Sequence, residues 1–151
     1  MERGIANILH RDTIAVIVGS QTFERGEACF KAKRVERVDA SPGELKGLVR
    51  PSEQGRRPYT VRVWVREEGV AYECTCPIGV RLQFCKHTVA IALAYLEKER
   101  AEAEQGLALL RQALTTIPQP ALVEGLLVMA RRNIDWSTEL KRMCLETLGS
   151  L

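Results

Sequence analysis

Cys74-Thr75-Cys76-Pro77-Ile78-Gly79-Val80-Arg81-Leu82-Gln83-Phe84-Cys85-Lys86-His87 is the stretch that decides the fold. Four side chains able to ligate a metal fall within these fourteen residues. Cys74 and Cys76 end a strand pattern, where residues i and i+2 share a face, so both sulfurs can aim at one point. Pro77 and Gly79 turn the chain away, and the loop to Phe84 is long enough to return. Cys85 and His87 stand where an apolar helix begins, and a first-turn position directs both back toward the strand end. Three thiolates and one imidazole form a closed tetrahedral donor set of the type that holds structural Zn2+. An ion there would tie sheet to helices, so its binding energy would act as folding energy. Lys86 and Arg81 are placed to donate toward sulfur and offset the negative charge of a three-thiolate zinc. Two other readings of these residues stay open: a redox dithiol at Cys74 and Cys76, although an i, i+2 disulfide is strained, or simply small buried apolar side chains.

Upstream, the strand pattern is clear. Tyr59, Val61, Val63 and Val65 alternate with Thr60, Arg62, Trp64 and Arg66, giving one apolar face and one polar face. Glu68-Gly69 turns into a partner strand from Val70 to Cys74. Before them, Pro42-Gly43 separates two short strands, Val35 to Asp39 and Glu44 to Arg50. Residues 11–33 read as two helices broken at Gly19-Ser20, with Asp12 as N-cap and Ile14, Ile17 and Val18 as an apolar stripe. Downstream, Val89 to Leu96 is apolar on every side, which marks a buried helix. It emerges at Glu97-Lys98-Glu99-Arg100 and is expected to break near Gly106. Leu107, Leu110 and Leu114 then form a stripe, Pro118 and Pro120 end one helix and open another, and a last helix starts near Asp135 with Leu140, Cys144 and Leu148 in a ladder. Cys29 and Cys144 are expected in the core. The predicted fold is therefore α+β: N-terminal helices, a small antiparallel sheet of three to four strands, a Cys3His finger at a strand–helix junction, and C-terminal helices. Residues 1–103 form the finger domain, and 104–151 an extension packing on it.

Composition bounds the rest. The chain has 151 residues, 46% hydrophobic and 27% charged, which suits a globular domain with an aliphatic core. No stretch approaches the roughly 18 apolar residues of a spanning helix, and no leader pattern is present, so a reducing cytoplasm is expected. Five cysteines cannot all close in internal disulfides. The net charge of +3 is uneven, with +6 concentrated in residues 25–66. Such a segment is either a nucleic-acid footprint or a solvated Arg-rich face. No nucleophile–base constellation, paired carboxylates or phosphate loop stands out. His10 reads as surface or capping.

The motif Cys-x-Cys-Pro, a variable loop, then Cys-x-His leading into Thr88-Val89-Ala90-Ile91-Ala92-Leu93 resembles the SWIM zinc finger. Phe23-Glu24-Arg25-Gly26-Glu27-Ala28-Cys29-Phe30 is similar to the Arg-Gly signature on an upstream helix of bacterial SWIM proteins, with Cys29 where an aromatic is usual. The Tyr59 strand and the Leu-rich helices after residue 107 extend the resemblance over most of the chain. It implies a non-enzymatic module that holds Zn2+ on Cys74, Cys76, Cys85 and His87 and binds nucleic acid, with DNA the expected form, or another protein. The expected nucleic-acid surface comprises Lys31, Lys33, Arg34, Arg37, Arg62, Trp64 and Arg66, with cations on phosphates and Trp64 stacking. Trp64 packed under the N-terminal helices is the competing placement. The alternative function is an adaptor that docks an ATPase, helicase or nuclease through its C-terminal helices. Neither reading involves a membrane or a small-molecule substrate.

Overall fold

A computed structural model of the chain describes residues 5, 8–53, 55–67, 69–81 and 84–148. Glu68 of the expected turn and the side chain of Leu148 lie outside the described residues. The elements are α1 (Arg11–Val18), α2 (Ser20–Lys31), β1 (Val35–Ser41), β2 (Glu44–Val49), β3 (Tyr59–Arg66), β4 (Gly69–Cys74), a 3-10 turn (Gly79–Arg81), α3 (Lys86–Thr116), α4 (Gln119–Arg132) and α5 (Ile134–Leu148). The α+β class and the sheet follow the sequence pattern. The chain divides into two compact units, residues 1–102 and 103–151, with the boundary inside α3. No helix among the described residues is long and apolar enough to cross a membrane.

In the first unit, the four strands form an antiparallel meander in chain order, β1-β2-β3-β4. Strand alternation sorts the side chains onto two faces. Leu45, Val49, Val61 and Val63 are fully buried on the inner face. Ile91 of α3 reaches this face at Gly47, where a Cβ would lie 2.2 Å from Ile91 Cδ1. Gly26 does the same for helix against helix, since a Cβ there would lie 2.4 Å from Val89 of α3. The buried stretch Val89–Leu93 is therefore enclosed by sheet and α2 together, as its all-round apolarity requires. Each fully buried aliphatic side chain contributes about 1.5–3 kcal/mol, and Ile5, Leu9 and Ile14 add three more near the N-terminus.

One expectation changes here and one stands. Asp12 is not the N-cap: His10 holds that position without a side-chain cap bond, and Asp12 sits in the first turn, where its charge favours the helix dipole. The break at Gly19 stands, with a left-handed φ of 75° that glycine adopts freely.

In the second unit, α3 runs past Gly106 without a break. A single helical glycine costs only about 1 kcal/mol, too little to end a helix flanked by alanine and leucine. Pro118 occupies the N-cap of α4, and Asn133 Oδ1 accepts from the backbone N–H of Asp135 (3.0 Å) and Trp136 (3.2 Å) to start α5. α4 and α5 pack against each other. No described side chain of residues 103–151 is buried. Cys144, expected in a core, is exposed. The i, i+4 ladder makes α5 amphipathic but supplies nothing large enough to cover it.

Candidate metal centre

Inner-face alternation on β4 carries Cys74 inward, opposite Val61, and Cys76 follows with the same parity just past the strand end. Thr75 between them anchors the strand end: its N–H donates to Thr60 O (3.0 Å), and its Oγ1 accepts from Thr60 N–H (3.0 Å). The chain then folds back over Cys74 through the 3-10 turn. Gly79 is required there, because a Cβ would stand 2.4 Å from the Cys74 carbonyl oxygen. The close approach brings the Gly79 N–H to 3.2 Å from Cys76 Sγ. Phe84 stacks on Tyr72 of β4, with ring centroids 4.5 Å apart, and so fixes the return of the loop. Cys85 precedes α3, and His87 lies in its first turn.

All four residues are buried, and their donor atoms lie within 4.8 Å of one another. His87 Nδ1 is 3.9 Å from Cys74 Sγ and 3.8 Å from Cys85 Sγ. Bond lengths of about 2.3 Å to sulfur and 2.0 Å to nitrogen give tetrahedral edges of about 3.5–3.8 Å; the two His87–sulfur distances match these, and the widest separation, up to 4.8 Å, would close by about 1 Å around an ion. The group can hold a metal ion with all four positions filled by protein. The Tyr59 ring lies against the His87 ring, with centroids 4.7 Å apart, and fixes its plane. Thr88 Oγ1 lies 3.4 Å from Cys85 Sγ.

Electrostatics point the same way. A hydrogen bond with Cys74, opposed by burial and helped by His87 and Thr88, holds the Cys85 thiol down at about 3. The same bond, followed by burial, pushes Cys74 well above the usual thiol range. Buried thiols this close together share a proton more readily than they carry two charges, and a divalent cation in their midst would stabilise the thiolates instead. Lys86 and Arg81, expected to donate toward sulfur, do not do so. The polar neighbours of the sulfurs include the Gly79 N–H, His87, Thr88 Oγ1, and the backbone of Cys76 at Cys74 and of Thr88 at Cys85. Lys86 instead lies beside Arg25, Ala28, Cys29 and Arg34. Tyr59, Gly79 and Thr88 belong to the centre although neither ligand type nor spacing marks them; only the folded chain brings them to it.

The seven expected nucleic-acid residues separate into two groups. Arg37, Arg62, Trp64 and Arg66 belong to the outer face of the sheet, whereas Lys31, Lys33 and Arg34 lie at the α2–β1 connection. Trp64 is half-buried on that outer face, with the Arg62 and Arg66 guanidinium carbons 4.9 and 5.5 Å from its ring centroid. Placement under the N-terminal helices is thus replaced by an outward ring between two cations. Several basic side chains are already paired: Arg62 and Lys46 with Glu44, Arg37 with Asp39, and Lys31 with Glu27. Those pairs hold the Glu44 carboxyl below its usual range, through Lys46 first and then Arg62.

No family model matches the chain, and no curated protein or solved structure matches it.

Proposed function

We propose that the chain is a non-enzymatic, SWIM-like zinc module of a reducing cytoplasm that binds nucleic acid, DNA foremost, through its basic first unit. The buried Cys3His group carries the zinc part of this reading. Soft thiolates with one imidazole in a tetrahedral set favour Zn2+ over hard cations. Four protein ligands leave no position for substrate, which favours a structural over a catalytic ion. Metal analysis of purified protein is expected to give one zinc per chain; a metal-free folded protein would end this reading.

The nucleic-acid part is supported by Trp64 between Arg62 and Arg66 on the outer sheet face and by the net +6 of residues 25–66. An aromatic surface flanked by guanidinium groups suits base stacking with phosphate contacts at either side. Fluorescence anisotropy with labelled single- and double-stranded oligonucleotides at two salt concentrations is the test. Binding is expected to weaken as salt rises. Absence of binding at low salt would reject it.

One observation favours a second reading, an adaptor that docks an ATPase, helicase or nuclease. Leu107, Leu110, Leu127, Met129 and Trp136 of the second unit are all exposed, more apolar surface than single scattered residues account for. Leu110→Glu with Leu127→Glu leaves oligonucleotide affinity intact on either reading. If that pair abolishes cellular function while Arg62→Glu with Arg66→Glu preserves it, the adaptor role prevails.

A further inference from the structure

The sheet face is not the place where positive charge is least compensated. Its Arg37, Lys46 and Arg62 each pair with a carboxylate. Among the described residues, Arg66 on the sheet face has only the Trp64 ring beside it, but a group of three unpaired cations lies on the helical side. There a cleft of about 210 Å³ is lined by Arg25, Ala28, Cys29, Arg34 and Lys86. Its three cations come from three places: α2, the α2–β1 connection and the start of α3. No carboxylate among the described residues lines it. Among the described residues, the side chains of Arg25 and Lys86 make no ion pair or hydrogen bond, and Arg34 bonds only the neutral hydroxyl of Ser52.

Fold constraints put these cations together. Gly26 lets α2 touch α3 at Val89 and at the Lys86 carbonyl oxygen, which carries Arg25 and Ala28 to the end of α3 where Lys86 stands. Lys86, between the two inward residues Cys85 and His87, lines the cleft. Arg34 also forms a wall of a second, adjoining cleft of about 410 Å³ that contains Arg50 and Arg56, paired with Glu36 and with the cleft's own Glu53 respectively. The three cations of the first cleft repel one another, and a bound anion removes that repulsion; at the second cleft the anion would compete with Glu36 and Glu53 for Arg50 and Arg56. Two clefts sharing one arginine suit an anion whose charges repeat along its length, more than a single small ion.

We propose that Arg25, Arg34 and Lys86 seat a backbone phosphate of a nucleic-acid strand, which continues past Arg34 toward Arg50 and Arg56. This rests on the nucleic-acid reading above and moves its main phosphate contacts from the sheet to the helical side. It also gives the Arg25-Gly26 pair a joint purpose: the glycine permits the close approach, and the arginine supplies charge at the point of approach.

The test compares three full-length proteins by anisotropy over a salt series: wild type, Arg25→Gln with Lys86→Gln, and Arg62→Gln with Arg66→Gln. The cleft pair is expected to weaken oligonucleotide binding about tenfold at low salt and to lower the slope of log K against log salt by about 2. The sheet pair is expected to change both less. Arg25→Gln alone, at an exposed and unpartnered position, provides a version that leaves the metal region untouched, with a slope change of about 1. Arg25→Lys with Lys86→Arg is expected to restore the wild-type slope. Wild-type behaviour of both cleft variants, in a protein that binds oligonucleotide, overturns the proposal and leaves the nucleic-acid reading standing. Failure of the wild type itself to bind overturns both.

Discussion

Cysteine serves three purposes in this chain, and burial and neighbours separate them. Cys74, Cys76 and Cys85 converge with His87, Cys29 is buried beside the basic cleft, and Cys144 is exposed. A structural zinc site contributes about 10–16 kcal/mol in apparent binding energy, as much as the whole stability of a typical domain, about 5–15 kcal/mol. Cys85→Ser is therefore expected to lose zinc and the cooperative melt of the first unit, seen by metal analysis and circular dichroism. Cys144→Ser is expected to keep one zinc per chain and to shift stability by no more than about 0.5 kcal/mol, as exposed positions do. Acid sensitivity has a local source. Glu27 accepts hydrogen bonds from Lys31 and Arg11, which hold its carboxyl below the ordinary value of 4.5. A depressed carboxyl stabilises the fold at neutral pH and loses that contribution as pH falls through its folded value. Wild type is thus expected to be more stable than Glu27→Gln at pH 7, with the difference vanishing in acid; urea melts at pH 7 and pH 3 check this.

Among the elements, glycine positions distinguish contact from open space. Gly26→Ala is expected to cost about 1–3 kcal/mol by overpacking, because its methyl would overlap Val89. Gly106→Ala meets nothing within 4 Å and is expected to stabilise the helix by about 0.5–1 kcal/mol. Denaturant titration followed by far-ultraviolet circular dichroism reads both. Sequence reading distinguishes these two glycines poorly, since local pattern contains neither the neighbour of the first nor the vacancy around the second. The strands were legible because one buried face imposes period-two alternation, as at Val61, Val63 and Trp64. The ligands were legible because thiolate and imidazole are chemically distinctive and close in the chain. Tyr59 and Thr88 were not, because stacking on His87 and proximity to a sulfur are set by folding, not by spacing. Cys144 was misplaced for a related reason: an amphipathic ladder records which residues prefer cover, without recording whether cover exists.

At the scale of the molecule, protection is uneven. The buried aliphatic cluster and the metal centre both belong to residues 1–102, while residues 103–151 contain no buried side chain among those described. Limited proteolysis is expected to cut within 103–151 first, because local opening is cheapest where few apolar contacts must be broken. Chelation should then expose residues 1–102 to the same protease. Mass spectrometry of the fragments with and without chelator resolves the order, and early cleavage within the zinc-loaded first unit would contradict it. The neighbour-to-neighbour order of the sheet also bears on kinetics. Each strand pairs with the one before it, and the four ligands span only fourteen residues, so no pairing waits for a remote segment to arrive. Local pairing of this kind lowers the entropic barrier to forming the sheet and the metal centre, so in refolding once zinc is supplied both are expected to precede the longer closures of Gly47 on Ile91 and Gly26 on Val89.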